Sequence, residues 1–482
     1  MVKQTKLWIG GQWVDGEETI ALKNPHTGTL IAEVAYAGEA HAKQAIEVAA
    51  EAFRSFRKVP AYERSAILRR VADAFAAKRT EIACTLAEEA AKPIKAALAE
   101  IDRTVQTYLF AAEAARDIHS ETVPMDAAPR GEHHVAYTVK HPLGVVTAIT
   151  PFNFPANLVA HKVGPAIAAG NTMVLKPAEQ TPLTSLLLAD LFQEAGLPDG
   201  VLNIIPGYGA KLSKMLTTHE DVAFVTFTGS PRVGKLIRQQ AELRRVTLEL
   251  GSNSPLLIDE GFTPDELDRI AAEATAGAFN YSGQVCISIQ RTYVHRSCFD
   301  SFVERMVTHA RALKIGDPLD ANTDISALIN DAATTRLKQW LDHAVASGAK
   351  VETGGTFDGN IMHPTVLTNV PDNVELSCEE AFGPIVLLDT FDEWGEAIAK
   401  ANHSKFGLNA GAFTKDLQRA MQAAEELEAG GVLLNQIPTF RIDQMPYGGI
   451  KESGVGREGV RYAMEDMMDI KMVAIRTNAY GH

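Results

Sequence analysis

The chain of 482 residues is poor in cysteine, with only Cys84, Cys286, Cys298 and Cys378. Their gaps are wide and irregular and form no C-x-x-C pair. This excludes a disulfide scaffold and the usual zinc spacings. The four read as reduced thiols of a cytoplasmic protein. Basic clusters are missing too. No run of five Lys or Arg occurs and the net charge is −14, so neither nucleic acid nor an anionic membrane is expected as a partner. Apolar stretches such as Gly144 to Thr150 and Ala166 to Ala169 fall far short of the roughly 18 residues of a membrane span. Met1 to Ile9 holds no apolar core of signal-peptide length. Repeats and low-complexity tracts are absent.

What remains is an ordinary soluble composition, 46% hydrophobic and 22% charged, in a chain long enough for two or three domains. Trp8-Ile9-Gly10-Gly11-Gln12-Trp13-Val14 reads as a hairpin. Ala40 to about Ile118 is helical in spacing, interrupted at Pro93. Val135 to Val139 alternates like an exposed strand. Strands and helices then alternate: Gly144–Ile149, the helix Asn157–Ala169, Thr172–Leu175, the helix Thr181–Ala195, Val201–Ile205, Val222–Phe227 and Leu248–Leu250. That order predicts a parallel, doubly wound α/β sheet. A second α/β series starts near Pro264, with a helix from Cys298 to Leu313 and strands at Ile385–Leu388 and Gly431–Leu434. Met467 to Ile475 reads as a last strand. Exposed strands recruit other chains, so 135–139 and 467–475 are expected to build a homodimer or homotetramer by strand pairing.

Two residues carry chemistry. Cys286, in Gly283-Gln284-Val285-Cys286, is a lone thiol in a glycine-containing loop, and a thiolate attacks carbonyl carbon readily. Glu249 is the one acid in Val246-Thr247-Leu248-Glu249-Leu250. Desolvation there raises its pKa toward the range of a general base. Taken singly, Cys286 reads more readily as a small buried hydrophobe and Glu249 as a solvated strand end. Phe227-Thr228-Gly229-Ser230-Pro231-Arg232-Val233-Gly234-Lys235 nearly matches a Walker loop, but Leu236 stands where the Mg²⁺-holding hydroxyl belongs. The segment therefore reads as a helix N-terminus offering N–H groups to a pyrophosphate without metal.

In order, the chain holds Pro151-Phe152-Asn153-Phe154-Pro155, Leu175-Lys176-Pro177-Ala178-Glu179, Phe227-Thr228-Gly229-Ser230, Leu248-Glu249-Leu250-Gly251, Gly283-Gln284-Val285-Cys286, Glu380-Ala381-Phe382-Gly383-Pro384 and Pro446-Tyr447-Gly448-Gly449-Ile450-Lys451-Glu452-Ser453-Gly454. From about Trp8 to Arg461 this resembles the aldehyde dehydrogenase superfamily. The resemblance implies two doubly wound parallel-sheet domains and a small β oligomerisation arm. The NAD-binding domain would comprise 1–118 and 141–249, the catalytic domain 250–448, and the arm 119–140 with 467–482. It implies that Cys286 forms a thiohemiacetal and then a thioester, and that Asn153 and the Cys286 N–H hold the oxyanion. Glu249 would activate the deacylating water.

The resemblance further implies a cofactor crevice of Thr150, Pro151, Phe152, Lys176, Ala178, Glu179, Gly209, Phe227, Thr228, Gly229, Ser230, Leu250, Gly251, Glu380 and Phe382, with no catalytic metal. Glu179 accepts a ribose 2′-hydroxyl and repels a 2′-phosphate, so NAD⁺ is expected ahead of NADP⁺. Substrate contacts are expected from Arg103, Phe154, His161, Val285, Ile287, Phe440 and Arg441. His161, placed on the tunnel, and the two arginines point to a small polar, hydroxy- or anionic aldehyde. Ser252-Asn253 replaces the Gly-Lys common after Glu-Leu-Gly. Three other readings stand beside this one: a P-loop nucleotidase, which Leu236 opposes, a CoA-acylating semialdehyde dehydrogenase, which Glu249 opposes, and a retired binding or structural relative, which the retained Cys286 and Glu249 oppose.

Overall fold

A computed structural model describes residues 3–477. Two sheets organise it. The first runs, edge to edge, Gly454–Val455, Arg245–Glu249, Val222–Thr228, Val145–Ile149, Thr172–Lys176, Leu202–Ile204, Leu7–Ile9, Gln12–Val14. Its five central strands are parallel and its outer ones antiparallel. Val145–Ile149 is buried along its whole length, as an apolar strand covered by helices on both faces must be. The chain moves from this strand to one side of the sheet and then returns past it to Val222–Thr228. The order reverses there, and the crevice at the carboxyl ends of those two strands is where ligands bind in such sheets.

The helix Asn157–Ala169 is buried on every side and stops at Gly170, whose φ of 92° ends it in a left-handed turn. The helical segment expected from Ala40 to Ile118 is four helices: Glu39–Phe56, Ala61–Ala77, Arg79–Ala90 and Ile94–Ala114. Pro93 caps the last of them, and Pro60 caps the second.

The second sheet runs Lys350–Thr353, Thr365–Thr368, Ile385–Phe391, Arg291–His295, Pro255–Ile258, Asn409–Phe413, Gly431–Leu434. It is parallel except at Lys350–Thr353. Its first strand in the chain, Pro255–Ile258, precedes Pro264, where the second series was expected to begin. The chain also comes back after 448, since Gly454–Val455 pairs with Arg245–Glu249.

Away from both sheets, His134–Pro142 pairs along nine residues with Met468–Arg476, and Thr122–Val123 flanks the other side. The two strands expected to recruit other chains thus satisfy each other along one edge. Residues 478–482 of the expected arm lie outside the described residues. Among the described residues no helix is long and apolar enough to cross a membrane.

Candidate active site

After the helix Pro264–Phe279 the backbone turns left-handed for three residues: Tyr281 (φ 48°), Ser282 (53°) and Gly283 (69°). Such angles are costly for residues with a Cβ and need support. The Tyr281 hydroxyl donates to Ala90 O at 2.9 Å, and the Ser282 hydroxyl to Ser326 O at 2.9 Å. Position 283 has to be glycine on two counts, since a Cβ there would also stand 2.1 Å from Gly383 O.

This reversal delivers Cys286 to a cavity of about 180 Å³, lined among others by Arg103, Phe154, Val285, Ile287 and Arg441. Burial pushes the thiol up to about 11; the Tyr447 hydroxyl, 2.9 Å from Sγ, and the Arg441 charge oppose this, while Glu380 and Glu249 reinforce it. A larger cavity of about 660 Å³ lies between Arg291, Cys378 and Lys405 and contains none of the expected site residues.

Asn153 follows the strand Val145–Ile149, and its side-chain amide donates to Gln284 O at 3.0 Å. Its Oδ1 is buried without a partner, and the Cys286 N–H has no protein acceptor among the described residues. A buried pair unforeseen in the sequence holds this segment. Lys92, in the break between two helices, donates to Glu100 and to Asn153 O at 3.0 Å. Glu100 also accepts the N–H groups of Ala156 and Asn157, at 2.9 and 3.1 Å. The Lys92 ammonium lies 3.6 Å from the centre of the Phe154 ring. A buried charge is tolerable only when so paired.

Glu249 ends the strand Arg245–Glu249, 2% exposed, with neither carboxylate oxygen bonded. Burial first and the nearby Glu458 charge second raise its pKa well above the carboxylate range, against Arg441, Lys162 and Arg457. Gly448 leaves it room: a Cβ there would stand 2.7 Å from Glu249 Oε1. Burial acts on Glu458 in the same sense, but Lys162 and Arg441 outweigh it and keep Glu458 ionised. Lys162 Nζ donates to it at 2.9 Å and Arg441 Nη2 at 3.2 Å.

Arg441 stacks on the Tyr447 ring, its guanidinium carbon 3.7 Å from the centroid, and its Nε is buried without an acceptor. Arg103 pairs with Asp443 through Nη2 at 2.7 Å and Nε at 3.2 Å. Asp443 also accepts from Asn157 Nδ2 at 3.0 Å and from His161 Nε2 at 2.9 Å. Burial raises Asp443, but the hydrogen bond from His161 and the charge and hydrogen bond of Arg103 carry it far below the carboxylate range. Burial, then Arg441, lowers His161 and keeps it neutral. One neutral ring nitrogen cannot donate to Asp443 and accept from Arg441 at 3.3 Å together. The Nε2–H faces the Asp443 carboxylate, so His161 offers Arg441 no acceptor there and Arg441 keeps donors free. His161 does not line the cavity; it stands behind Arg441, because the buried Asp443 draws its ring away. Phe440 is 39% exposed and also lies off the cavity, which Thr439 and Arg441 line on either side of it.

The expected cofactor residues collect at the strand ends. Thr150, Pro151 and Phe152 follow Val145–Ile149, and Ala178 and Glu179 follow Thr172–Lys176. Lys176 is buried, lowered to about 8 by desolvation, and 4.0 Å from Glu179 Oε1. Glu179 accepts the Gly209 N–H at 2.8 Å. Phe227 and Thr228 close the strand Val222–Thr228, and the Gly229 N–H donates to Glu249 O at 3.0 Å. Ser230 caps the helix Pro231–Gln240 with its side chain unbonded to the helix. Pro231 has no N–H and the Val233 N–H donates to Ser230 O at 3.1 Å, so the Ser230 hydroxyl and the Arg232 N–H are the donors left for an anion. Leu250 packs where a Gly234 side chain would be, and Glu380 folds against Gly251, accepting the Ser252 N–H at 2.9 Å. Burial lifts Glu380 to about 7. The Phe152 and Phe382 rings meet edge to face at 5.7 Å. A helix N-terminus with a free cap hydroxyl, beside a carboxylate and a buried lysine, suits a dinucleotide. No three His, Cys, Asp or Glu among the described residues gather as a metal site.

The sequence profile of the aldehyde dehydrogenase family matches residues 13–473. The chain belongs to that family. It is 44% identical over 474 residues to a 3-sulfolactaldehyde dehydrogenase of Priestia aryabhattai, covering 98% of each chain. Among solved structures it resembles aldehyde dehydrogenase 21 of Physcomitrella patens in complex with the reaction product succinate, at TM-score 0.97 and 38% identity over 100% of both chains. It also resembles an E. coli NADP-dependent enzyme, at TM-score 0.95 and 35% identity over 98% of both. As an aldehyde dehydrogenase the protein oxidises aldehydes with NAD(P)⁺.

Proposed function

We propose that this aldehyde dehydrogenase oxidises a short anionic aldehyde, that Cys286, Asn153 and Glu249 carry the reaction, and that NAD⁺ is preferred to NADP⁺. The observation that carries the substrate class is Arg441: a buried guanidinium with an unpartnered Nε, lining the cavity of Cys286. Desolvated arginine donors recognise carboxylate, sulfonate or phosphonate. Arg103 adds a second positive charge at the same cavity, and its pairing with Asp443 orients it. At about 180 Å³ the cavity is smaller than the ~300–1,000 Å³ of most ligand pockets, which favours few carbons. The sulfonate in the Priestia relative's name and the succinate bound by the Physcomitrella enzyme agree with an anionic tail.

In this reading the Cys286 thiolate adds to the aldehyde carbon, and the oxyanion is stabilised by the Asn153 amide and the Cys286 N–H, at ~3 kcal/mol per donor. Bound NAD⁺ supplies the hydride acceptor that turns the thiohemiacetal into a thioester. Glu249, unpaired and made basic by burial, takes a proton from the water that hydrolyses it. Lys176 and Glu179 would hold the adenosine ribose, Ser230 and the helix N-terminus the pyrophosphate, and Glu380 the nicotinamide ribose. Glu179 supports the NAD⁺ preference by its charge. The apolar side chains exposed on Met468–Arg476, among them Ile470 and Met472, support a homodimer or homotetramer built on that strand's free edge.

The test is a panel of anionic and neutral aldehydes of equal length. The anionic members should have kcat/KM at least about tenfold higher, and Arg103→Met and Arg441→Met should each narrow the ratio by about tenfold or more. Equal kcat/KM for both classes would refute the substrate class.

A further inference from the structure

Tyr447 is fixed from three directions. Its N–H and C=O exchange hydrogen bonds with Glu458, at 3.0 and 2.6 Å. Its ring is covered by the Arg441 guanidinium at 3.7 Å. Its hydroxyl, 2.9 Å from Cys286 Sγ, has no other partner among the described residues. A phenol so held has one available task at the nucleophile. It loses its own proton far less readily than usual, because burial and then the adjacent Cys286 raise it. Between thiolate and phenol, the phenol is therefore the donor.

Of the other groups facing the sulfur, Arg441 lies on the same segment and favours negative charge. Glu249, from the strand Arg245–Glu249, and Glu380 oppose it. Lys92, Glu100 and Arg103 line the far side of the cavity, and the first two neutralise each other.

We infer that Tyr447 is a further catalytic residue, whose hydroxyl donates to the Cys286 thiolate and so enlarges the share of the enzyme poised to attack. The inference rests on Cys286 being the nucleophile. The thiol first releases its proton to solvent. Sulfur then bonds to the carbonyl carbon while the π pair moves to oxygen, leaving the electron count unchanged and the charge beside the Asn153 amide. Tyr447 keeps its proton throughout. It loses a charged acceptor as the new bond forms, so its help comes before the attack.

That timing fixes the observable. A thiol pKa lowered by about one unit gives roughly tenfold more thiolate well below the midpoint. The thiolate is then about threefold less nucleophilic, so the net gain is about threefold. Above both midpoints only the loss remains. Tyr447→Phe keeps the ring under Arg441 and removes the donor. Iodoacetamide alkylation of the Cys286 peptide, followed by mass spectrometry across pH without NAD⁺ or aldehyde, reads the thiol directly. Near neutrality the variant should react about threefold more slowly, and at the alkaline plateau faster than the unsubstituted protein. Superimposed profiles, or a slowing by the same factor at every pH, would overturn the inference. Failure of the nucleophile assignment is separable: Cys286→Ala would then keep turning over, whatever the alkylation profile.

Discussion

Burial acts on Cys286 and Glu249 in the same direction and asks opposite things of them. It starves the thiol of its reactive form and makes the carboxylate a stronger base. A protonated Glu249 cannot take a proton from water, so deacylation should rise with pH through its elevated pKa. In Glu249→Gln that limb should vanish from the steady-state profile, leaving a burst of NADH followed by slow turnover. An unchanged steady state would remove Glu249 as the base.

The same shift is a statement about stability. A carboxyl raised on folding contributes stability below its unfolded pKa of ~4.3 and loses it as pH rises through the folded value. Glu249→Gln should therefore melt higher than the unsubstituted protein at neutral pH, read by calorimetry. Asp443 is the opposite case. Its pKa falls on folding, so its contribution is present above ~3.9 and lost as pH drops. Asp443→Asn, which strips Arg103 and His161 of their anion, should cost about 3 kcal/mol near neutrality. At this scale the sequence was legible where an acid stood in an apolar run, as Glu249 does, or a lone thiol in a glycine-containing loop, as Cys286 does. Lys92, Glu100 and Asp443 were not, because each belongs to a helical or loop segment where charge is ordinary. Only the fold brings their partners within reach, from as far away as Asp443 is from Arg103.

Among elements, the strand carboxyl ends and the left-handed turn before Cys286 divide the work. The strand ends present Thr150, Lys176, Ser230 and Glu249 around one crevice, a consequence of parallel strand order that alternating apolar runs already announced. The helix Asn157–Ala169 was readable to its last residue because Gly170 marks its stop. The helical stretch before it was less so. The junction at Lys78 carries neither proline nor glycine, yet its backbone leaves the helix at φ −100° and ψ 19°. The turn at 281–283 left one trace, Gly283. Adding a methyl there sets it against Gly383 O, so Gly283→Ala should displace the loop and lower Cys286 alkylation and kcat by at least about tenfold, with NAD⁺ affinity kept. Normal alkylation in that variant would show that the turn does not position the thiol.

For the whole molecule, the sheet of Thr122–Val123, His134–Pro142 and Met468–Arg476 stands outside both larger sheets and has one unpaired long edge. Its alternation was visible in the sequence, whereas the pairing of two segments more than three hundred residues apart was not. Ile470 and Met472 share one face and are 69% and 57% exposed, a poor arrangement for an isolated chain. The double variant Ile470→Lys, Met472→Lys should elute at a smaller mass by light scattering and keep its NAD⁺ site, while an unchanged mass would place the interface elsewhere. In the proposed mechanism all these pieces serve one covalent event at Cys286. Acid quenching of Glu249→Gln with NAD⁺ and an anionic aldehyde, then peptide mass spectrometry, reads that event directly. The account predicts an acyl group on the Cys286 peptide. An unmodified Cys286 during NADH formation would contradict it.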